Sequence, residues 1–146
     1  MGTRSTYRII EQYNDEKKNK IVNNEICLIY RQFDGYPSGH PLETAEWLAS
    51  GKIVNGYSST DTLQFNGAGC LAAQLVAKYK DGVGGTYIQA LSSRGNSWED
   101  YLYDIIIKED KTIEYRCYEN GSRKKLIFCG SPSEFVLQYS KEEVEK

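Results

Sequence analysis

Histidine is almost missing from this chain; His40 is the only one. A two-histidine site of any kind is out of reach, which excludes the two-histidine phosphodiesterases, most zinc hydrolases and the usual two-histidine iron sites. The four cysteines, Cys27, Cys70, Cys117 and Cys129, include no close pair and no Cys-x-x-Cys. Four-cysteine zinc sites are normally built from two close pairs, so no metal is expected, and free buried thiols are expected over disulfides. Long apolar runs are lacking too. The longest apolar stretches, such as Tyr101–Ile107, have strand length and are interrupted by charge, far short of the roughly 18 residues that span a bilayer, so no membrane partner is expected. The opening Met1-Gly-Thr-Arg-Ser5 has no apolar centre of a secretory signal, and it fits a myristoylation signal poorly. Basic residues are not in excess either: 18 Lys and Arg stand against 20 Asp and Glu, a net charge of −2. Gripping long nucleic acid takes a basic surface, because phosphate neutralisation dominates that affinity. Long nucleic acid is therefore not an expected partner, whereas a small anion held by a few arginines is permitted.

What is present fits one domain. The chain has 146 residues, the size of one ordinary domain, and residues 1–139 are expected to form it, followed by a charged tail over 140–146. Thr3–Gln12 alternates as a first strand, with Tyr7 and Ile9 on one face. The polar run 14–20 reads as a turn, and Ile21–Arg31 as the second strand of an antiparallel hairpin. Pro41 suits the first position of a helix; Leu42, Ala45, Leu48 and Ala49 share its face, and Gly51 closes it. A second helix is expected from about Gly67 to Lys80, ended by Gly82, Gly84 and Gly85. Strands follow at Thr86–Ser92, Glu99–Lys108, Thr112–Glu119 and, after the hairpin signal Asn120-Gly121, Lys125–Cys129. Ser131-Pro132-Ser133-Glu134 matches a capping box with proline at the first helical position. The resulting order, ββ-αα-ββββ-α, predicts an α+β fold: an antiparallel sheet of about six strands with helices packed on one face. Twelve tyrosines, many at strand positions, supply half-buried rings with polar tips.

The segment Tyr30-Arg31-Gln32-Phe33-Asp34-Gly35-Tyr36-Pro37-Ser38-Gly39-His40-Pro41 joins a strand to a helix and is dense in residues that break regular structure. Its glycines permit close approach of a ligand to the backbone, and a helix N-terminus beside it suits an anion. Arg31 could grip a phosphate or carboxylate with two hydrogen bonds, while Phe33 and Tyr36 could stack on a flat ring. The same composition equally describes a tight, rigid connection in which Arg31 and Asp34 pair and brace the loop. His40 before Pro41 reads more simply as a cap or surface residue than as a catalytic base.

Phe65-Asn66-Gly67-Ala68-Gly69-Cys70 opens the second helix and could hold an anion. It is neither a P-loop, lacking Gly-Lys-Ser/Thr, nor a dinucleotide fingerprint, lacking a third glycine. Close packing of helix on sheet explains these glycines as well. Lys80-Asp81-Gly82-Val83-Gly84-Gly85 reads as a turn, with a ligand-covering flap as the alternative. Cys70 near a helix start has one possible histidine partner, His40, and nothing in the sequence places them together. Glu43 and Glu46 look like a solvated helix face. Trp47 belongs beside the apolar stripe of the first helix; Trp98, in a polar loop, is open to either a packing or a binding role.

The opening Met1-Gly-Thr-Arg-Ser5, the loop from Tyr30 to His40 and the stretch Phe65-Asn-Gly-Ala-Gly-Cys-Leu-Ala-Ala-Gln74 together resemble a widespread group of small phage and viral accessory proteins. The group often carries Trp where Phe33 stands and Gly where Pro41 stands, so helix entry can differ here. The resemblance implies a viral anti-defence protein of the host cytoplasm. It would bind and sequester a nucleotide immune signal, a cyclic dinucleotide or a related molecule, without cleaving it, as a homo-oligomer and without a cofactor. Arg4, Arg31, Phe33, Asp34, Tyr36, Ser38, His40 and Asn66 are the ligand-binding residues this implies, with no catalytic residue, and Arg31→Ala is expected to abolish binding while sparing the fold. A nucleotide-modifying enzyme and a protein–protein inhibitor of a host factor are the alternatives.

Overall fold

The computed structural model describes residues 2–56 and 62–144, without the side chains of 141–144. Strand β1 (Ser5–Asp15) and strand β2 (Lys20–Arg31) form the expected antiparallel hairpin. The Asp15 carboxylate accepts the backbone N–H groups of Lys17 and Lys18 and sets the turn. Helix α1 spans His40–Ser50, strand β3 Lys52–Val54, strand β4 Gln64–Asn66 and helix α2 Gly67–Tyr79. Strand β5 (Thr86–Gln89), a short 3-10 turn at Leu91–Ser93, strands β6 (Tyr101–Ile107), β7 (Ile113–Asn120) and β8 (Lys124–Gly130), and helix α3 (Pro132–Val144) follow among the described residues.

The main sheet has six strands in the order β5-β2-β1-β6-β7-β8. The fold is α+β, as the periodicity predicts, and all neighbours are antiparallel except β1 and β6, which run parallel. That exception follows from the path of the chain: β5, antiparallel to β2, already runs in the direction of β1, and the 90–100 connection carries the chain across the sheet to β6 in that same direction. The pair β3 and β4, parallel and three residues each, was not foreseen. Strands this short carry too little alternation to read. The strand expected over Thr86–Ser92 stops at Gln89 and gives way to the 3-10 turn. Helix α3 reaches Val144 and so extends into the segment expected to be a tail.

Tyr7, Ile9, Tyr103, Ile105 and Tyr115 face the helices and pack with Leu42, Leu48, Leu71, Leu75 and Phe135 in one core. Gly51 adopts an extended conformation rather than a left-handed cap. A Cβ there would stand 2.5 Å from the Phe65 ring, so its smallness serves packing. The capping box forms in full: Ser131 Oγ accepts the Glu134 N–H at 3.1 Å, and Glu134 Oε1 accepts the Ser131 N–H at 2.9 Å. On the opposite face of the sheet, Ile10, Leu28, Leu102 and Ile106 are buried as well. There the 90–100 connection crosses the strands, pinned by Arg94 on Asp104 and by Glu99 on Thr6.

Candidate binding site

The glycine-rich loop is braced from within. Tyr103 Oη donates to the Gly35 carbonyl at 2.7 Å and Tyr115 Oη to the Pro41 carbonyl at 3.0 Å. The Gly35 N–H donates to Thr3 O at 2.9 Å, and the His40 N–H to Asp34 O at 2.8 Å. The opening residues and the loop therefore fit against each other; a Cβ on Gly35 would come within 2.7 Å of Ser5. Asp34 holds a left-handed backbone, φ 59°, which an aspartate tolerates better than most residues.

Two of the expected ligand residues turn inward. The Arg31 guanidinium bonds Thr86 Oγ1, reaches the Tyr79 carbonyl at 3.5 Å and lies 5.1 Å from the Tyr79 ring centre. It caps the end of α2 instead of pairing with Asp34. His40 is buried: its Nδ1 is 3.1 Å from Tyr7 Oη, which is 3.2 Å from Thr44 Oγ1, and Tyr79 Oη closes the chain at 2.9 Å from the same Oγ1. Burial, reinforced by the charges of Arg31 and Lys78, pulls the His40 pKa down to about 3, so the imidazole is neutral. Burial likewise pushes the Tyr79 phenol up to about 12, against the Thr44 hydrogen bond. His40, Tyr7, Thr44 and Tyr79 thus form a packed hydrogen-bond chain, while His40 Nε2 and Arg31 Nε are buried without a partner among the described residues. Cys70 does not meet His40 in this chain; its Sγ donates to Gln74 Oε1 at 3.0 Å.

The remaining expected residues scatter. Asn66 sits where α2 begins, its Oδ1 accepting the Gly56 N–H at 2.9 Å, in a recess with Glu11, Lys108 and Lys111 rather than with the loop. Tyr36 and Ser38 line a different recess, beside α3. Phe33 and Asp34 are exposed. Arg4 lies close enough to Tyr30 for its charge to act on that phenol, whose pKa is raised by burial while Arg4 opposes the rise.

Tyr30 belongs to a further surface, apart from both of these recesses. An open groove of about 470 Å³ is lined by Tyr30 and Gln32 of the β2 end, Tyr87 and Gln89 of β5, and Asn96, Ser97 and Trp98 of the 90–100 connection. That volume lies within the range of small-molecule sites. Tyr30 and Tyr87 are register partners with ring centres 5.9 Å apart. Trp98 is 84% exposed and has φ 62°, a conformation that costs a bulky residue energy and clusters at functional sites. Lys80 Nζ stands 5.5 Å from the Tyr87 ring centre while donating to the carbonyls of Gly84 and Thr86.

The loop that presents Trp98 is held by Glu99, which is 3% exposed. Its carboxylate accepts the N–H of Gly95 at 2.7 Å, the N–H of Ser97 at 2.6 Å and the Thr6 hydroxyl at 3.1 Å. Asn120 Nδ2 donates to the Glu99 carbonyl at 2.9 Å. Sequence reasoning singled out Trp98 without assigning it, and did not select Tyr30, Tyr87, Gln89 or Lys80 as contacts. The available signal was a large aromatic in a run of Gly, Asn and Ser. The convergence of three elements on it was not written locally. No protein-family model, curated protein or solved structure gave a significant match to the chain.

Proposed function

We propose that this protein binds and sequesters a nucleotide immune signal, a cyclic dinucleotide or a related molecule, in the Tyr30–Tyr87–Trp98 groove and does not cleave it. The observation that carries the reading is Trp98, a solvent-facing indole held in a strained backbone beside two tyrosines. Aromatic faces of this kind stack nucleobases with about 1–3 kcal/mol each. Gln32, Gln89 and Asn96 add amide donors and acceptors of the sort that pair with base edges. Phosphates would fall to Lys80, which keeps one of its three donors beyond its two carbonyl bonds, and to Arg4. The groove is open, so a second copy of the chain would complete the enclosure, consistent with a homo-oligomer acting in the cytoplasm of an infected host.

His40 is the natural candidate for a catalytic base, and it is neutral, buried and bonded to Tyr7, which disfavours a nucleotide-modifying enzyme that relies on it. One observation favours a protein contact as a second reading: besides Trp98, 84% exposed, the edge strand β5 and the turn before it expose Ile88 and Val83, at 61% and 105%. The deciding experiment is capture and release. Purified protein is incubated with cyclic di- and trinucleotides and ADP-ribose derivatives, washed and heated, and the supernatant is read by mass spectrometry. Intact nucleotide at near-stoichiometric yield, lost in Trp98→Ala, is the expected result. An altered product would mean an enzyme, and no retained ligand would move the groove to a protein partner.

A further inference from the structure

The tip of the glycine-rich loop takes no part in the groove and forms something else. Tyr36, Pro37 and Ser38 line a separate recess of about 370 Å³ with Tyr101, Glu119 and Tyr139. Each ring is positioned by its own element. Tyr36 lies over Gly39, where a Cβ would stand 2.8 Å from the ring. Tyr101 opens β6 and is the register partner of Glu119 on β7. Tyr139 packs on Phe135 with ring centres 4.4 Å apart. Three phenol rings and one carboxylate thus line the same recess. Glu119 forms no ion pair among the described residues; Lys125 is its register partner on β8, and no salt bridge joins the two.

The chemistry of this lining has a sign. Aromatic faces carry negative quadrupole density and attract cations, and a carboxylate with no ion pair among the described residues adds a negative charge. A phosphate or carboxylate ligand would be repelled. We infer that the recess is a binding site for an organic cation, a substituted ammonium or a guanidinium, with Glu119 as the counter-charge and Tyr36, Tyr101 and Tyr139 as the walls. Its preference is opposite to that of the groove, which has Lys80 and Arg4 beside it, so it stands whether or not the groove binds a nucleotide. The cation could be a free small molecule or an arginine or lysine side chain of a protein partner.

Backbone amide NMR titration separates the possibilities. The probes are tetramethylammonium chloride, a blocked Gly-Arg-Gly peptide, sodium chloride at matched ionic strength, and neopentyl alcohol as a neutral shape analogue. Saturable shifts centred on the Ser38 and Glu119 amides are expected with the two organic cations and not with salt. Tighter binding of the peptide would identify a protein side chain as the source, and tighter binding of tetramethylammonium a free metabolite. Glu119→Gln is expected to weaken binding about tenfold or more. Lys125→Ala, which removes the cation that is the register partner of Glu119 on β8, is expected to tighten it. An equal response to neopentyl alcohol, no saturable shift, or unchanged affinity in Glu119→Gln would overturn the inference.

Discussion

The Glu99 carboxylate accepts the backbone N–H of Ser97 at 2.6 Å, and the one residue between them, Trp98, is the exposed indole with φ 62°. A two-residue span closed by so short a bond leaves the intervening residue few conformations. The strain at Trp98 is thus maintained by a buried acid whose other oxygen is occupied by Gly95 N–H and the Thr6 hydroxyl. The sheet, through Thr6, and the presenting loop, through Glu99, are one unit.

Glu99→Ala should therefore affect stability and the groove together. Unpaired N–H groups at Gly95 and Ser97 and an orphaned Thr6 hydroxyl are expected to cost about 2 kcal/mol in urea denaturation. Steady-state fluorescence offers a second readout, since Trp98 is one of only two tryptophans. Its quenching by acrylamide should change in Glu99→Ala. A variant with wild-type stability and wild-type quenching would show that the loop is held by something other than this carboxylate.

Arg31→Ala should do the reverse of what the sequence implies. The guanidinium serves Tyr79 and Thr86 inside the protein, so the variant is expected to lose about 1–3 kcal/mol of stability through the broken hydrogen bonds to a charged group. Below its melting temperature it should retain any groove ligand at the wild-type yield. Lost retention in a variant of undiminished stability would return Arg31 to the ligand.

How far the sequence could be read follows from these two residues. Strand and helix periods were local, so the hairpin, α1, α2, β6 to β8 and the capping box at Ser131 were legible at once. Arg31 lies on the face of β2 that also carries Ile29, and strand alternation alone would have sent it toward the helices. Its place beside a glycine-rich loop outweighed that signal. The groove was less legible, because it joins residues from β2, β5 and the 90–100 connection. Only the sheet order, with β5 next to β2, brings Tyr87 beside Tyr30. The parallel pairing of β1 with β6 depends in the same way on a crossover that no local pattern records.

Asp104 offers a sharper stability test. It is 1% exposed and accepts two hydrogen bonds from Arg8, at 2.9 and 2.8 Å, with Arg94 at 3.4 Å. Removing one member of a buried ion pair leaves uncompensated charge, which costs about 3–5 kcal/mol. Asp104→Ala is expected to lose that much in chemical denaturation, with Arg94 released from the sheet face. A loss under about 1 kcal/mol, the range of exposed pairs, would mean that water reaches the cluster.

His40 should give the protein an acid-side stability slope at a pH where carboxylates are still ionised. Its pKa is lowered from the ordinary 6.5 to about 3 by burial, then by the charges of Arg31 and Lys78. The unfolded chain therefore binds a proton near pH 6.5 that the folded chain refuses until about pH 3. Stability is fully present above the unfolded value and falls as pH drops through that window, by up to about 1.4 kcal/mol per pH unit. Glu114 and Glu134 have values lowered from 4.5, Glu114 by Lys108 and Arg116 against its burial and Glu134 by Ser131, and they contribute only below that point. The upper part of the window thus reports His40. Urea midpoints measured from about pH 7 to about pH 5 should decline in the wild type. They should stay level in His40→Gln, which cannot titrate, even though that variant starts lower for want of the Tyr7 bond. A parallel decline in both proteins would place the protonation elsewhere, and a level wild-type profile would mean that His40 titrates in the fold much as it does in water.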